Sequence, residues 1–162
     1  MEQKQLKKID IIFSLDDKCT PIQVVEKTIK KTPDSIILDM IDSGLKGRGG
    51  AGFPTGLKWK FARNEDSDTK YVICNADEGE PGTFKDREIL DRVPEKIFAG
   101  MSICGFVIGA KEGYIYVRGE YNFMLKTLQQ KIDIFNLQLK EKKIDFNVFL
   151  SSGSGAYVCG EE

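Results

Sequence analysis

The chain predicts an α/β fold built on a mostly parallel sheet, and three observations carry that prediction. Strand-like and helix-like stretches alternate through its second half, as βαβ units do. Two strand candidates, Tyr71–Cys74 and Tyr114–Val117, are apolar without a break or nearly so, the pattern of strands covered on both faces. Six glycines crowd into Gly44–Gly56, where a backbone must take unusual conformations or lie directly against a ligand.

At 162 residues the chain suits one domain with a sizeable core. Its 41% hydrophobic and 30% charged residues place it among ordinary globular proteins. The formal charge of −1 offers no footprint for nucleic acid or for an anionic membrane. No histidine is present, which excludes Ser-His-Asp and Cys-His catalysis and every imidazole-bound zinc site. Cys19, Cys74, Cys104 and Cys159 share no short spacing, so they predict buried thiols in a reducing compartment rather than a metal site. No apolar run reaches the length of a signal or membrane segment, which predicts a cytoplasmic chain.

Taken in order, Ile9, Ile11, Phe13 and Leu15 alternate with polar neighbours and predict a short strand. Thr20-Pro21 and Thr32-Pro33 each place a capping threonine before a first-turn proline and predict two helices. Ile22, Val25 and Ile29 face inward on the first; Ile36, Ile37, Met40 and Ile41 do so on the second. Gly44 closes the second helix. A helix therefore leads into the glycine loop. Gly47-x-Gly49-x-x-Gly52 has the spacing of a dinucleotide fingerprint, but that fingerprint follows a strand, so the match is disfavoured. The absence of GxxxxGK[ST] likewise disfavours a P-loop. What remains is a backbone cradle for phosphate, with the helix opened by Pro54-Thr55 and Lys58 beside it.

Lys70–Cys74 predicts a buried central strand, and Asn75-Ala76-Asp77-Glu78-Gly79-Glu80 comes straight off its end. Ligands of open α/β sheets bind at the carboxyl ends of strands, which marks this acidic turn as a site rather than solvated filler. Asp86 and Arg87 predict a structural pair or helix cap. A short helix to Val93 precedes an apolar core helix over Pro94–Ala110, and the strand Tyr114–Val117 follows. Tyr121, Leu125, Leu128, Ile132, Phe135 and Leu139 mark an amphipathic helix; Lys140–Lys143 is a solvated charge run; Phe146, Val148 and Leu150 alternate as a third strand. The last residues, Ala156–Glu162, form a second glycine-acid constellation that reads as interrupted.

Three blocks then suggest a family. GLKGRGGAGFPTGLKWKF (Gly44–Phe61), NADEGEPGTFKDREIL (Asn75–Leu90) and GAYVCGEE (Gly155–Glu162) resemble the NADH-binding flavoprotein subunit of respiratory complex I and its counterparts in NAD-linked hydrogenases and formate dehydrogenases. Arg118-Gly119-Glu120-Tyr121 is similar to the family as well. The resemblance implies a Rossmann-like FMN-binding domain of three-layer type with a mostly parallel sheet. A helical lead-in would occupy 1–35 and a partial FMN/NADH-binding domain 36–162. Since the likeness covers only the family's N-terminal part, it implies a truncated form, either a gene fragment or a shortened chain.

By the same resemblance, the activity is NADH oxidation through FMN, with electrons passed to iron–sulfur subunits of a larger complex. The alternative is a fragment without turnover of its own. Gly47, Arg48, Gly49 and Ala51 would line FMN, and Lys58 would neutralise its phosphate. Asn75, Asp77 and Glu78 would bind its ribityl chain and ring edge, with Tyr157, Gly160 and Glu161 closing the other side. Phe53 and Phe61 would stack on the NADH adenine, with Glu80 and Glu162 meeting the rest of the dinucleotide; the bland alternative makes Phe53 a loop anchor, Trp59 and Phe61 core, and Tyr157 a plain strand residue. The family's 4Fe–4S cluster has no ligand set in this chain. Placement is cytoplasmic or peripheral to the inner membrane through the larger complex, without membrane insertion or nucleic acid.

Overall fold

The computed structural model describes residues 12–14, 18–48 and 51–153. In chain order it contains α1 (Pro21–Thr28), α2 (Pro33–Asp42), α3 (Thr55–Asn64), β1 (Tyr71–Ala76), α4 (Lys85–Arg92), α5 (Pro94–Ile108), β2 (Glu112–Val117), a 3-10 turn (Gly119–Tyr121), α6 (Asn122–Glu141) and β3 (Asn147–Ser152). The three strands pair in parallel, in the order β1-β2-β3. The α/β class and parallel sheet are as predicted.

Local chemistry explains the helix boundaries. The Thr20 amide donates to Gln23 Oε1 at 2.8 Å, and the Ser35 amide donates to Thr32 Oγ1 at 3.2 Å. Each bond occupies one of the polar groups a helix start leaves over. At the other end of α2, Gly44 takes φ +66°, the left-handed conformation that glycine enters without a steric cost.

α5 is the centre of the molecule. Phe98 and Val107 are fully buried, Phe98 meets Phe135 of α6 edge-on at 5.5 Å, and Val25 of α1 is buried in the same core. Ser102 is buried there too, with its hydroxyl donating to the Phe98 carbonyl at 2.8 Å. On the sheet, Val72 and Ala76, Ile115 and Val117, and Val148 face this helical layer. On α6, the Asn136 amide pairs with both the N–H and C=O of Val148 (2.9 and 2.8 Å). That side chain occupies one outward-facing residue of an edge strand.

Two expectations need correction. Among the described residues β1 lies at an edge of the sheet, and the central strand is β2. Tyr71 and Ile73 are 53% and 62% exposed, so the run that reads as doubly buried is buried on one face; an apolar run records hydrophobicity, whereas strand position depends on pairing. The helices of the described residues pack on one face of the sheet. The second sheet face, with the row Ile73, Tyr114 and Phe149 in register, carries no helix among them. Finally, Ile12–Ser14 form no strand, and Ile9, Ile11 and Leu15 lie outside the described residues. Lys96 Nζ donates to the Ile12 and Ser14 carbonyls at 2.6 Å each, and the Arg92 guanidinium lies 3.9 Å over the Phe13 ring. Those two carbonyls are thus engaged by a helix, not by a strand ladder.

Candidate functional site

Two clefts adjoin along β1 and share Ile73. One, of about 440 Å³, lies at the carboxyl end of β1 and is lined by Asn75, Asp77, Glu78 and Glu80, with Tyr116 across from Asn75 on β2. The other, of about 390 Å³, lies between the glycine loop, α3, β1 and α5; Gly47, Phe53, Lys58 and Trp59 line it. Sequence reasoning brought these residues together in two blocks, and the fold makes the blocks neighbours.

The glycine loop is closed by its own backbone. The Gly47 amide donates to the Phe53 carbonyl and the Thr55 amide to the Leu45 carbonyl, both at 2.9 Å. α3 then packs tightly on α2 through Gly56. A Cβ there would stand 2.7 Å from Ile41 Cγ1, 2.9 Å from the Ile41 amide nitrogen and 3.0 Å from the Ile37 carbonyl. Only glycine allows that approach, and it directs Lys58 and Trp59, one turn on, into the cleft. Trp59 is half-buried against the core, so it is both packing and cleft wall. Phe53 and Phe61 are exposed and tilted 50° to each other at 6.2 Å, an apolar edge outside the core. Arg48 and Ala51 sit exposed on the loop. Gly49, Tyr157, Gly160, Glu161 and Glu162 lie outside the described residues.

The acidic turn is held differently. The Asp77 amide donates to Asn75 Oδ1 at 3.0 Å, and the Thr83 hydroxyl donates to the Glu80 carbonyl at 2.6 Å. Glu78 is 5% exposed. Its Oε1 accepts the Asp86 amide at 3.0 Å; its Oε2 accepts the Arg87 amide at 3.3 Å and the Tyr121 hydroxyl at 2.9 Å. Burial by itself pushes this carboxyl up. The Asp86 amide, the Tyr121 hydroxyl, the Arg87 amide and Lys85 together hold it below the usual range. Its carboxylate therefore caps α4 from outside the helix. Of the structural pair or helix cap expected at Asp86 and Arg87, the cap is what forms, their two amides donating to Glu78, while the Asp86 carboxylate pairs with Lys85 at 2.6 Å.

Cys104 lines the Lys58 cleft, Cys74 lies on β1 beside it, and burial favours the protonated thiol at both. Burial pushes Cys104 up to about 12 against the opposing effect of Lys58, and burial with the Asp86 charge pushes Cys74 up to about 11. Among the described residues no cluster of three metal-binding side chains occurs, and no helix is long and apolar enough to cross a membrane. The arrangement suits binding: amides and a cation on one side, carboxylates and an amide on the other, apolar surface between.

Tyr116, Arg118 and Tyr121 are the site-side residues that motif reading passed over. Arg118 and Tyr121 stood in a family-like block without an assigned task. They follow the carboxyl end of β2, and the rule that singled out the turn after β1 applies equally there.

Comparison with known proteins follows the same lines. Residues 40–162 match the family model described as the Nuo51 FMN-binding domain. The alpha subunit of the NAD-reducing hydrogenase HoxS of Cupriavidus necator is 43% identical over 150 residues, covering 86% of this chain and 24% of that protein. An NADH-quinone oxidoreductase subunit of Aquifex aeolicus is 46% identical over 160 residues, covering 93% and 37%. A crystal structure of an NAD+-reducing [NiFe]-hydrogenase in its H2-reduced state superposes with a TM-score of 0.77 at 44% identity, over 90% of this chain and 25% of that one. The chain thus spans between a quarter and somewhat over a third of the length of these relatives.

Proposed function

The chain belongs to the Nuo51 FMN-binding family, and on that premise we propose that it forms the flavin- and NADH-facing part of an NADH-oxidising flavoprotein. The observation that carries the proposal is that Ile73 lines both the Lys58 cleft and the Asn75–Glu80 cleft, which makes the two neighbours along β1. Together they are the size of a site for a drug-sized ligand. Their donor set fits FMN: a cation for the phosphate, polar groups for the ribityl chain, and an apolar floor for a flat ring.

In this reading, Gly47, Gly49 and Ala51 offer backbone and Arg48 its charge along the cofactor, and Lys58 holds the phosphate. Asn75, Asp77 and Glu78 define the far wall, Glu78 through the position of its turn. Tyr157, Gly160 and Glu161, which lie outside the described residues, would close the opposite side. Phe53 and Phe61 receive the adenine of NADH, and Glu80 and Glu162 its polar groups. FMN, when bound, supplies the acceptor for the nicotinamide hydride. The chain's residues orient the two rings and exclude water, and no side chain need act as acid or base. Electrons would leave to iron–sulfur subunits of a dehydrogenase or hydrogenase complex, the kind of assembly to which the relatives belong. The protein would reach a membrane only through such a complex.

A second reading has its own support. Tyr71, Ile73 and Phe149 leave an apolar sheet face open among the described residues, and parallel sheets function with both faces covered. In that case the chain alone has no turnover. One experiment separates the two: purification with FMN, followed by anaerobic addition of NADH. Stoichiometric yellow protein that bleaches and reduces ferricyanide supports the first reading. Colourless or unreactive protein supports the second.

A further inference from the structure

One group of side chains ties the loops leaving β1 and β2 together. Arg118, the first residue after β2, donates from Nη1 to the backbone carbonyl of Glu78. Its Nε donates to Glu120 at 2.8 Å, its Nη2 to the other Glu120 oxygen, and its guanidinium lies 5.6 Å over the Tyr121 ring. The Tyr121 hydroxyl reaches the Glu78 carboxylate at 2.9 Å. Glu78 is thus gripped twice, by its main chain and by its side chain, from residues some 40 positions away.

A buried carboxylate is a poor choice for packing, since an apolar residue of similar size removes the desolvation cost. Its bonds make sense if they place something else. On either side of Glu78 stand Asp77 and Gly79, then Glu80, all lining the cleft. We infer that Arg118 and Tyr121 are positioning residues of the nucleotide site: gripping Glu78 at both ends, they aim Asp77, Gly79 and Glu80 into the cleft. The Glu78 carboxylate then acts on the turn and not on a ligand. This inference rests on the flavin and NADH reading above, and it changes the work assigned to Glu78 within it.

The charged groups around Glu78 define what a test must control. Lys85 Nζ lies 3.8 Å from Oε1 and is shared with Asp86; Arg87 follows on the same helix; Arg118 carries Glu120. Tyr121→Phe removes one hydrogen bond and leaves the ring. Arg118→Met removes the grip on the carbonyl, and Arg118→Lys restores a single donor. FMN titrations of the full chain, from about pH 4 to about pH 8, should show Tyr121→Phe and Arg118→Met binding about tenfold more weakly, one charged hydrogen bond's worth. Arg118→Lys should recover part of the loss. In Tyr121→Phe the acid limb of binding should move to higher pH, because Glu78 has lost a donor to its charged form.

Equal, pH-independent weakening in all three variants, or wild-type affinity in all three, overturns the inference. Amide exchange without ligand provides the second measurement. Exchange at 77–80 should be faster in Tyr121→Phe and Arg118→Met, with the middle of α6 unchanged; wild-type exchange at 77–80 overturns the inference. If the wild-type chain binds no FMN, the flavin reading is what fails, and exchange alone decides the positioning role.

Discussion

The two walls of the clefts are built on opposite principles. Between Lys46 and Pro54 the hydrogen bonds that hold the glycine loop are, among the described residues, backbone ones, Gly47 to Phe53 within the Lys46–Pro54 bridge, with the Phe53 ring against Phe61 as a side-chain contact. Its side chains Arg48 and Phe53 point outward. The acidic turn is braced from beneath by a buried carboxylate of its own and by an arginine and a tyrosine of the 3-10 turn that follows β2. The first wall presents main-chain groups and needs only room for them. The second presents charged side chains, whose directions must be set by other side chains. Glycine does the work in one, and buried electrostatics in the other.

Substitutions at each wall test this contrast. The largest effect is expected at Glu78→Ala, which strips three donors of their acceptor in a buried place; a loss of about 3 kcal/mol in chemical denaturation is expected. The same group has a pH signature. Its folded pKa lies below the ordinary value of 4.5, so it contributes stability above that pH, lost as pH falls through the lower folded value. Glu78→Gln should abolish that part of the acid limb; an unchanged limb would remove Glu78 from the account. Next comes Gly56→Ala, the anchor of the glycine wall. A Cβ there meets backbone atoms of α2 at 2.9 and 3.0 Å, so about 2 kcal/mol should be lost, read from the melting temperature.

Lys58→Met sharpens the comparison in binding rather than stability. Its side chain is exposed, so the melting temperature should hold while FMN affinity falls by about tenfold. Arg48→Ala should do least to the fold, with a stability change within about 0.5 kcal/mol. A larger loss would mean that the glycine loop depends on side chains after all.

Much of this was legible in the residues. Thr20-Pro21 and Thr32-Pro33 announced α1 and α2 because capping is a local matter of one oxygen and one amide. The apolar stripe from Tyr121 to Leu139 announced α6 for the same reason, periodicity being a property of the segment itself. The edge position of β1 was not legible, since no residue within Tyr71–Ala76 specifies whether a strand pairs on its other side. Nor was the pairing of Asp86 with Lys85, which depends on the direction of α4. Glu78 shows the boundary within one residue. Its place after β1 marked it for a site, but its chain position says nothing of Tyr121 approaching from the start of α6.

The sequence by itself determined the helices, the strands β1 to β3, the glycine loop and the acidic turn, because each depends on neighbours within a few residues. The tertiary structure alone decided which strand lies at the edge, that Ile73 lines both clefts, and that Glu78 faces inward. Those facts depend on contacts between residues some 40 positions apart, such as Glu78 with Arg118 and Tyr121. They form only when α5 brings the ends of β1 and β2 side by side.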